Sequence, residues 1–194
     1  MIRTSTAPRR LVTVSSTVVA LLVLVASSAP AQPVRYRIQP EASDVGFRAT
    51  SRLMNAEGRF HRTAGEIMAD PKDLSTATIT LSIEAASIDT GIALRDVHLR
   101  SDDFLHVERF PSITFESVRV EAVGRRVIVF GRLTLHGVTR EVAVPVDVDI
   151  TNIALVASGE FVLRRTDYGI SYRSFVNPVG NEVRVAFTFR ARAA

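Results

Sequence analysis

After its N-terminal stretch the chain is dominated by apolar and polar residues alternating with a period of two. Residues 76–85 read Thr-Ala-Thr-Ile-Thr-Leu-Ser-Ile-Glu-Ala, with Ala77, Ile79, Leu81, Ile83 and Ala85 on one side and Thr78, Thr80, Ser82 and Glu84 on the other. Successive side chains of a strand point to opposite faces, so this pattern predicts a strand with one buried face. The same alternation returns at Val45/Phe47/Ala49, Ile113/Phe115, Val127/Val129/Gly131/Leu133/Leu135, Val142/Val144/Val146/Val148, Phe161/Leu163 and Val183/Val185/Phe187/Phe189. Residues 60–69 form a weaker run, and Gly65 inside it suits a bulge or a sharp bend.

Turn residues separate these runs: Asp70-Pro71-Lys72-Asp73, Gly124, His136-Gly137, Ser158-Gly159 and Asn177-Pro178-Val179-Gly180. Eight or so short strands joined by short loops predict an all-β chain with one antiparallel sheet. Its edges must be hidden, and closure into a barrel hides them directly. An eight-stranded barrel either packs its interior shut or holds one small ligand.

Alternation fails over residues 94–111, Leu-Arg-Asp-Val-His-Leu-Arg-Ser-Asp-Asp-Phe-Leu-His-Val-Glu-Arg-Phe-Pro. Ser101 reads as an N-cap there, with Asp102 and Asp103 in the first turn and Pro111 as a stop. One or two short helices covering one end of the barrel are the expectation. As a single helix the stretch would bring His98, Asp102 and His106 to one face, a metal-ligand spacing, but a cap at Ser101 breaks that helix. No metal site is therefore expected.

The first 31 residues follow a different pattern. Arg3, Arg9 and Arg10 precede an apolar stretch over residues 11–26, and Ser27-Ser28-Ala29-Pro30-Ala31 supplies small residues ending in A-x-A. That order predicts a cleavable secretory signal over residues 1–31, with residues 32–194 as one domain. Its uninterrupted apolar core, residues 18–26, is too short to span a bilayer about 30 Å thick. A periplasmic or secreted location follows as an expectation. Arg9-Arg10 is followed by Leu11-Val12-Thr13, a poor fit to twin-arginine export.

Removing the signal lowers the net charge from +4 to +1, because those residues carry three arginines and no acid. Lys72 is the single lysine, and no basic run exceeds two residues, so the sequence offers nucleic acid no basic track. Cysteine is absent, which removes disulfides, thiolate nucleophiles and cysteine metal sites. No G-x-S-x-G, H-E-x-x-H, G-x-x-x-x-G-K-[ST] or G-x-G-x-x-G occurs. Glu57, Glu66, Asp70 and Asp73 read as solvated strand and turn residues, and no enzyme activity is expected.

Six segments, in order, resemble the YceI-like family of periplasmic polyisoprenoid-binding proteins with a lipocalin-like barrel. They are Ala86-Ser87-Ile88-Asp89-Thr90-Gly91, residues 95–104 (Arg-Asp-Val-His-Leu-Arg-Ser-Asp-Asp-Phe), Phe110-Pro111-Ser112-Ile113-Thr114-Phe115, residues 133–140 (Leu-Thr-Leu-His-Gly-Val-Thr-Arg), Arg165-Thr166-Asp167-Tyr168-Gly169-Ile170 and Val179-Gly180-Asn181-Glu182-Val183. Two departures stand out: Ala42 replaces the histidine of a common His-Ser pair, and Ser51 stands where a second histidine is frequent. Roles of those histidines are not carried over.

The resemblance implies a single eight-stranded antiparallel lipocalin-like barrel around an apolar tunnel for an isoprenoid quinone or similar lipid, bound, sequestered or transported in the periplasm. No other cofactor is implied. Phe47, Ile79, Leu81, Ile83, Phe115, Val129, Leu133, Leu135, Val144, Phe161 and Phe187 then become the lining. Alternation alone leaves open whether these side chains line a space or fill a solid core, and a closed barrel would serve as an envelope-stress or interaction protein. Arg95-Asp96 and Arg165-Asp167 read as ion pairs tying the cover to the rim, with Arg95, His98, Arg165 and Tyr168 as candidate head-group contacts and Tyr172 and Arg173 behind them. His136-Gly137 reads as a hairpin turn. A homodimer and membrane contact during ligand exchange complete the partner expectations.

Overall fold

The computed structural model describes residues 32–52, 55–123, 126–173, 175 and 177–194, with the side chain of Val123 left aside. The expected signal and the expected turn at Gly124 lie outside the described residues. The strands are β1 (Val34–Ile38), β2 (Asp44–Ser51), β3 (Ala56–Phe60), β4 (Thr63–Asp70), β5 (Asp73–Glu84), β6 (Ile88–Asp89), β7 (Ser112–Val123), β8 (Arg126–Leu135), β9 (Val138–Ile150), β10 (Ala154–Arg164) and β11 (Val179–Ala193). One α-helix, α1 (Ala93–Arg100), lies between β6 and β7.

Eight strands close a ring in the order β1-β4-β5-β7-β8-β9-β10-β11 and back to β1, all antiparallel. β2, β3 and β6 extend three members of that ring past local breaks. β1 continues into β2 through the 3-10 turn Pro40–Ala42, β3 runs into β4 across His61 and Arg62, and β5 continues toward β6 through Ala85–Ser87. β11 is long enough to pair with β2 along residues 179–188 and with β1 along residues 191–193. Eight bent strands in up-and-down order leave the ring no free edge, which is what closure achieves.

β8 shows how sequence dictates this wall. Val127, Val129, Gly131, Leu133 and Leu135 are all buried while Arg126, Ile128 and Arg132 are exposed. β8 then turns into β9 through His136 and Gly137, both at positive φ (52° and 73°). Positive φ at both central positions defines the type I′ turn, whose twist matches the strands it joins. The expected hairpin is present.

Two expectations are corrected. Gly65 carries no bulge: it pairs in register with Leu81, and the irregularity lies between Met68 and Asp70. Glycine is needed at 65 because a Cβ would lie 2.4 Å from the Thr80 carbonyl oxygen. Ser101 does not start a helix; it ends one. Its N–H and Oγ–H both donate to the His98 carbonyl, closing α1 at Arg100. The helix begins at Ala93 behind Ile92, which offers no side-chain cap, so the usual start signal is missing from the sequence.

One end of the barrel is plugged. Tyr36 is 0% exposed among Ile38, Ala69, Val146, Leu155 and Ala191, and its hydroxyl donates to the Thr151 carbonyl at 2.5 Å. Burial, then the nearby Asp70 charge, pushes the Tyr36 hydroxyl above its ordinary value, which keeps the donor protonated. The other end carries α1, the turns of residues 101–110 and the segment between β10 and β11.

Candidate functional site

The barrel is hollow. A cavity of about 580 Å³ runs inside it, bounded by residues of every ring strand except β1 and by β2, β3 and β6. Its wall is aliphatic and aromatic from Leu74, Ala77 and Val148 near the plug to Phe47 and Leu135 near the cover. Along β5, Ala77, Ile79, Leu81 and Ile83 all point inward yet remain only half-buried. A solid core would have hidden them; their accessible surface faces the cavity.

All eleven side chains expected as lining, from Phe47 to Phe187, border this cavity. Sequence reasoning missed Phe60, Val185, Ile92, Leu99, Phe104 and Leu105, which border it too. Arg95 and Leu99 share one face of α1 at a four-residue spacing, with Ile92 directly before the helix, a signal that the broken alternation concealed.

Polar groups gather at the covered end, where Ser51, Arg95, His98, Arg165, Tyr172 and Asn177 reach the cavity. His98, Phe104 and Tyr172 pack as three mutually touching rings, with centroids 4.8 to 5.0 Å apart. His98 Nε2 lies 2.9 Å from Asp103 Oδ2. It forms no metal set with Asp102 and His106, because the helix ends at Arg100 and His106 adopts positive φ. Among the described residues no group of three His, Asp or Glu side chains is placed to hold a metal.

The two expected arginine–aspartate ties are replaced by others. Arg95 donates through Nε to Thr90 Oγ1 (2.8 Å) and through Nη2 to the Thr90 carbonyl (3.0 Å). Buried Asp96 accepts from the Thr90 N–H (2.9 Å) and hydroxyl (2.5 Å), so threonine stands between the two charges. Arg100, not Arg95, latches α1 to the wall, donating to the carbonyls of Ala86 (2.9 Å) and Ile88 (2.5 Å). Arg165 ignores Asp167 and donates to three carbonyls, Gly180 (3.0 Å), Ile170 (2.7 Å) and Val179 (3.1 Å). Burial, and secondarily the Arg173 charge, lowers the Arg165 guanidinium below its ordinary value.

Tyr168 is not on the cavity wall. It is 2% exposed, packed with Ile88, Leu105, Leu133, Leu135 and Ile170 beneath the rim. His136 is likewise off the wall, its Nδ1 3.1 Å from the Tyr168 carbonyl.

Below the rim, Asp89 accepts the Gly91 N–H at 2.7 Å and contacts His61 Nε2 at 2.9 Å. The Gly91 bond first, and the His61 contact second, lower the Asp89 carboxyl below its ordinary value. A carboxyl lowered by folding contributes stability that is complete above the unfolded value of about 4 and is lost as pH falls through the folded value. In a His61→Gln background, the Gly91 amide shift should therefore show its carboxylate step only below about pH 4; a step centred at or above that value would contradict the assignment.

A family model for the YceI-like domain matches residues 36–191. The chain belongs to the YceI-like family. A UPF0312 protein of Photorhabdus laumondii is 34% identical over 140 residues, covering 72% of this chain and 69% of that one. A UPF0312 protein of Pseudomonas aeruginosa is 44% identical over 87 residues, 45% of this chain and 46% of that protein, so this match spans about half the length of the Pseudomonas relative. Among solved structures, Burkholderia cenocepacia BcnA superposes with a TM-score of 0.73 at 22% identity, covering 79% of this chain and 98% of that one. A polyisoprenoid binding domain from Saccharophagus degradans, implicated in plant cell wall breakdown, gives 0.69 at 20% identity, covering 83% and 99%. These likenesses establish the closed YceI-like barrel as the shared fold. The eight-stranded ring with one covered end is that fold in this chain.

Proposed function

We propose that this YceI-like barrel binds the tail of an isoprenoid quinone or a similar long apolar lipid and carries or stores it in the periplasm, exchanging it at a membrane. The reading rests on one observation: inward-facing aliphatic side chains keep free surface around an interior of about 580 Å³. Each buried CH2 contributes about 0.8 kcal/mol, whereas an unpaired polar group costs more than that, so such a wall selects for hydrocarbon. The polar side chains at one end suit a tail inserted first and a quinone oxygen or phosphate left near Arg95, His98 and Arg165. Binding rather than catalysis fits a wall without acid, base or nucleophile in its depth.

The volume sets a length. A cavity of about 150 Å³ takes up one benzene-sized molecule, so the barrel accommodates roughly four times that, or roughly five isoprene units. Native mass spectrometry of protein recovered from the cell envelope should show a hydrophobic adduct. Delipidated protein should take up prenyl quinones with affinity rising to roughly five units and then levelling. A clean apo mass together with no uptake of any chain length would refute the reading.

A further inference from the structure

We infer that the covered end of the barrel docks on an anionic lipid surface, with Leu94, Val97 and Phe175 entering the interface and Arg52, Arg95, Arg165 and Arg173 facing its head groups. The inference rests on the lipid-cargo reading for its purpose, but its observations are separate. Helix α1 and the residue before it carry apolar side chains outward as well as inward. Ile92 and Leu99 face the cavity, while Leu94 and Val97, three residues apart on the same outer face, are 85% and 64% exposed. A surface helix normally turns polar residues outward, and an exposed apolar face marks a contact surface. Phe175, fully exposed, sits between Tyr172 and Asn177, which both border the cavity mouth.

Every ion-paired arginine lies on the wall, although Arg140, Arg164, Arg190 and Arg192 there form no ion pair among the described residues. Nine arginines of the wall, from Arg35 on β1 to Arg184 on β11, are in ion-pair contact with carboxylates. Among the described residues, none of the four mouth arginines forms such a pair. Arg95 and Arg165 spend their donors on a hydroxyl and carbonyls, which leaves their charge uncancelled. Arg52 lies beside Pro178, and Arg173 is close enough to Arg165 to lower its pKa. Of the acids at this end, Asp96 is held by Thr90 and Asp103 lies against His98, while Asp102, Glu108 and Asp167 sit on the cover turns beside the arginines. Apolar side chains ringed by uncancelled cations match an anionic bilayer, where the first bury in the acyl boundary and the second meet phosphate. The mouth then opens directly onto the membrane, so an insoluble tail crosses no water.

The test is flotation of protein, produced from the full sequence and recovered from the cell envelope, with vesicles of equal parts phosphatidylglycerol and phosphatidylcholine, against phosphatidylcholine alone. Wild type should float with the anionic vesicles only, and less so as salt rises. Leu94→Asp and Phe175→Asp should each weaken flotation about tenfold or more, and Arg52→Gln and Arg173→Gln about fivefold each. Val118→Asp and Ile153→Asp, exposed apolar sites on other parts of the barrel, should change nothing. Uptake of a prenyl quinone from detergent micelles is measured in parallel. Leu94→Asp, Phe175→Asp and Arg52→Gln proteins that keep uptake but lose transfer from vesicles support the inference. Vesicle binding without uptake leaves docking standing and removes the cargo reading; uptake without vesicle binding overturns docking alone. Rim variants that float like wild type overturn it, as does a concentration-dependent dimer abolished by Leu94→Asp, which would make a second copy the occupant. Flotation confined to protein that retains residues 1–31 overturns it too, since the N-terminal segment would then be the anchor.

Discussion

Ala77→Phe should keep or raise stability while reducing lipid affinity at least a hundredfold. Ala77 points inward from β5 near the plug and is only half-buried, so the added ring enters open space. In a filled core the same change would force strain costing about 1–3 kcal/mol. In this cavity the ring instead gains burial of up to about 2 kcal/mol, a rise in Tm of roughly 2–4 °C for each kcal/mol in a domain of this size. The ring also occupies about the space of one benzene, roughly 150 Å³ of the 580 Å³ available. Displacing five or six carbons of tail at about 0.8 kcal/mol each is about 4 kcal/mol, near a thousandfold in Kd. Calorimetric melting and quinone titration read the two effects separately. A Tm lowered by several degrees with affinity unchanged would show that the interior is packed and the ligand sits elsewhere.

Ala77 also shows where reading a sequence stops. Its place on an inward face followed directly from the alternation of residues 76–85, as did the inward faces of β8, β9 and β11. What alternation cannot report is the distance across the barrel, because a side chain facing a void and one facing a neighbour have the same period. Hollowness is a property of ring size and strand tilt, set by all eight strands together. The motif order pointed to it, and the half-buried inner face of β5 displays it. β1 was missed although Val34-Arg35-Tyr36-Arg37-Ile38 alternates well; five residues are too few to stand out, and its contribution comes from closing the ring between β4 and β11.

The cover was less legible for a different reason. Ser101 can cap either end of a helix, by accepting from amides after it or donating to carbonyls before it, and the two aspartates that follow favoured the first choice. The second won because Arg100 reaches the carbonyls of Ala86 and Ile88 and Asp96 is buried against Thr90, contacts that draw the helix toward the wall one turn earlier. The same physics misplaced the arginine partners. Carbonyls freed where strands end and loops begin need donors, and a guanidinium with five N–H groups meets several at once. A neighbouring carboxylate in sequence is only one competitor.

Arg165→Met is the second large effect, and it falls on stability. Arg165 holds the carbonyls of Ile170, Val179 and Gly180 from one guanidinium, so it closes the segment between β10 and β11 across the mouth. Removing it strips three acceptors of a charged donor. Each such bond contributes about 1.5–3 kcal/mol when intact, and water at the rim restores part of the loss, leaving a net cost of about 2–4 kcal/mol. Tm should fall by roughly 5–12 °C. Arg165→Lys should recover less than half of it, because an ammonium on a flexible stem cannot reproduce the planar fork. An arginine free to serve only the ligand would behave in the opposite way, with melting unchanged and binding alone impaired. The two N–H groups that make no bond to those carbonyls leave room for both roles, and a pair of ligands separates them. If they meet a quinone oxygen, Arg165→Met should weaken a prenyl quinone several-fold more than the matching isoprenoid hydrocarbon. Equal losses for the two ligands would assign Arg165 to holding the mouth in shape and nothing more.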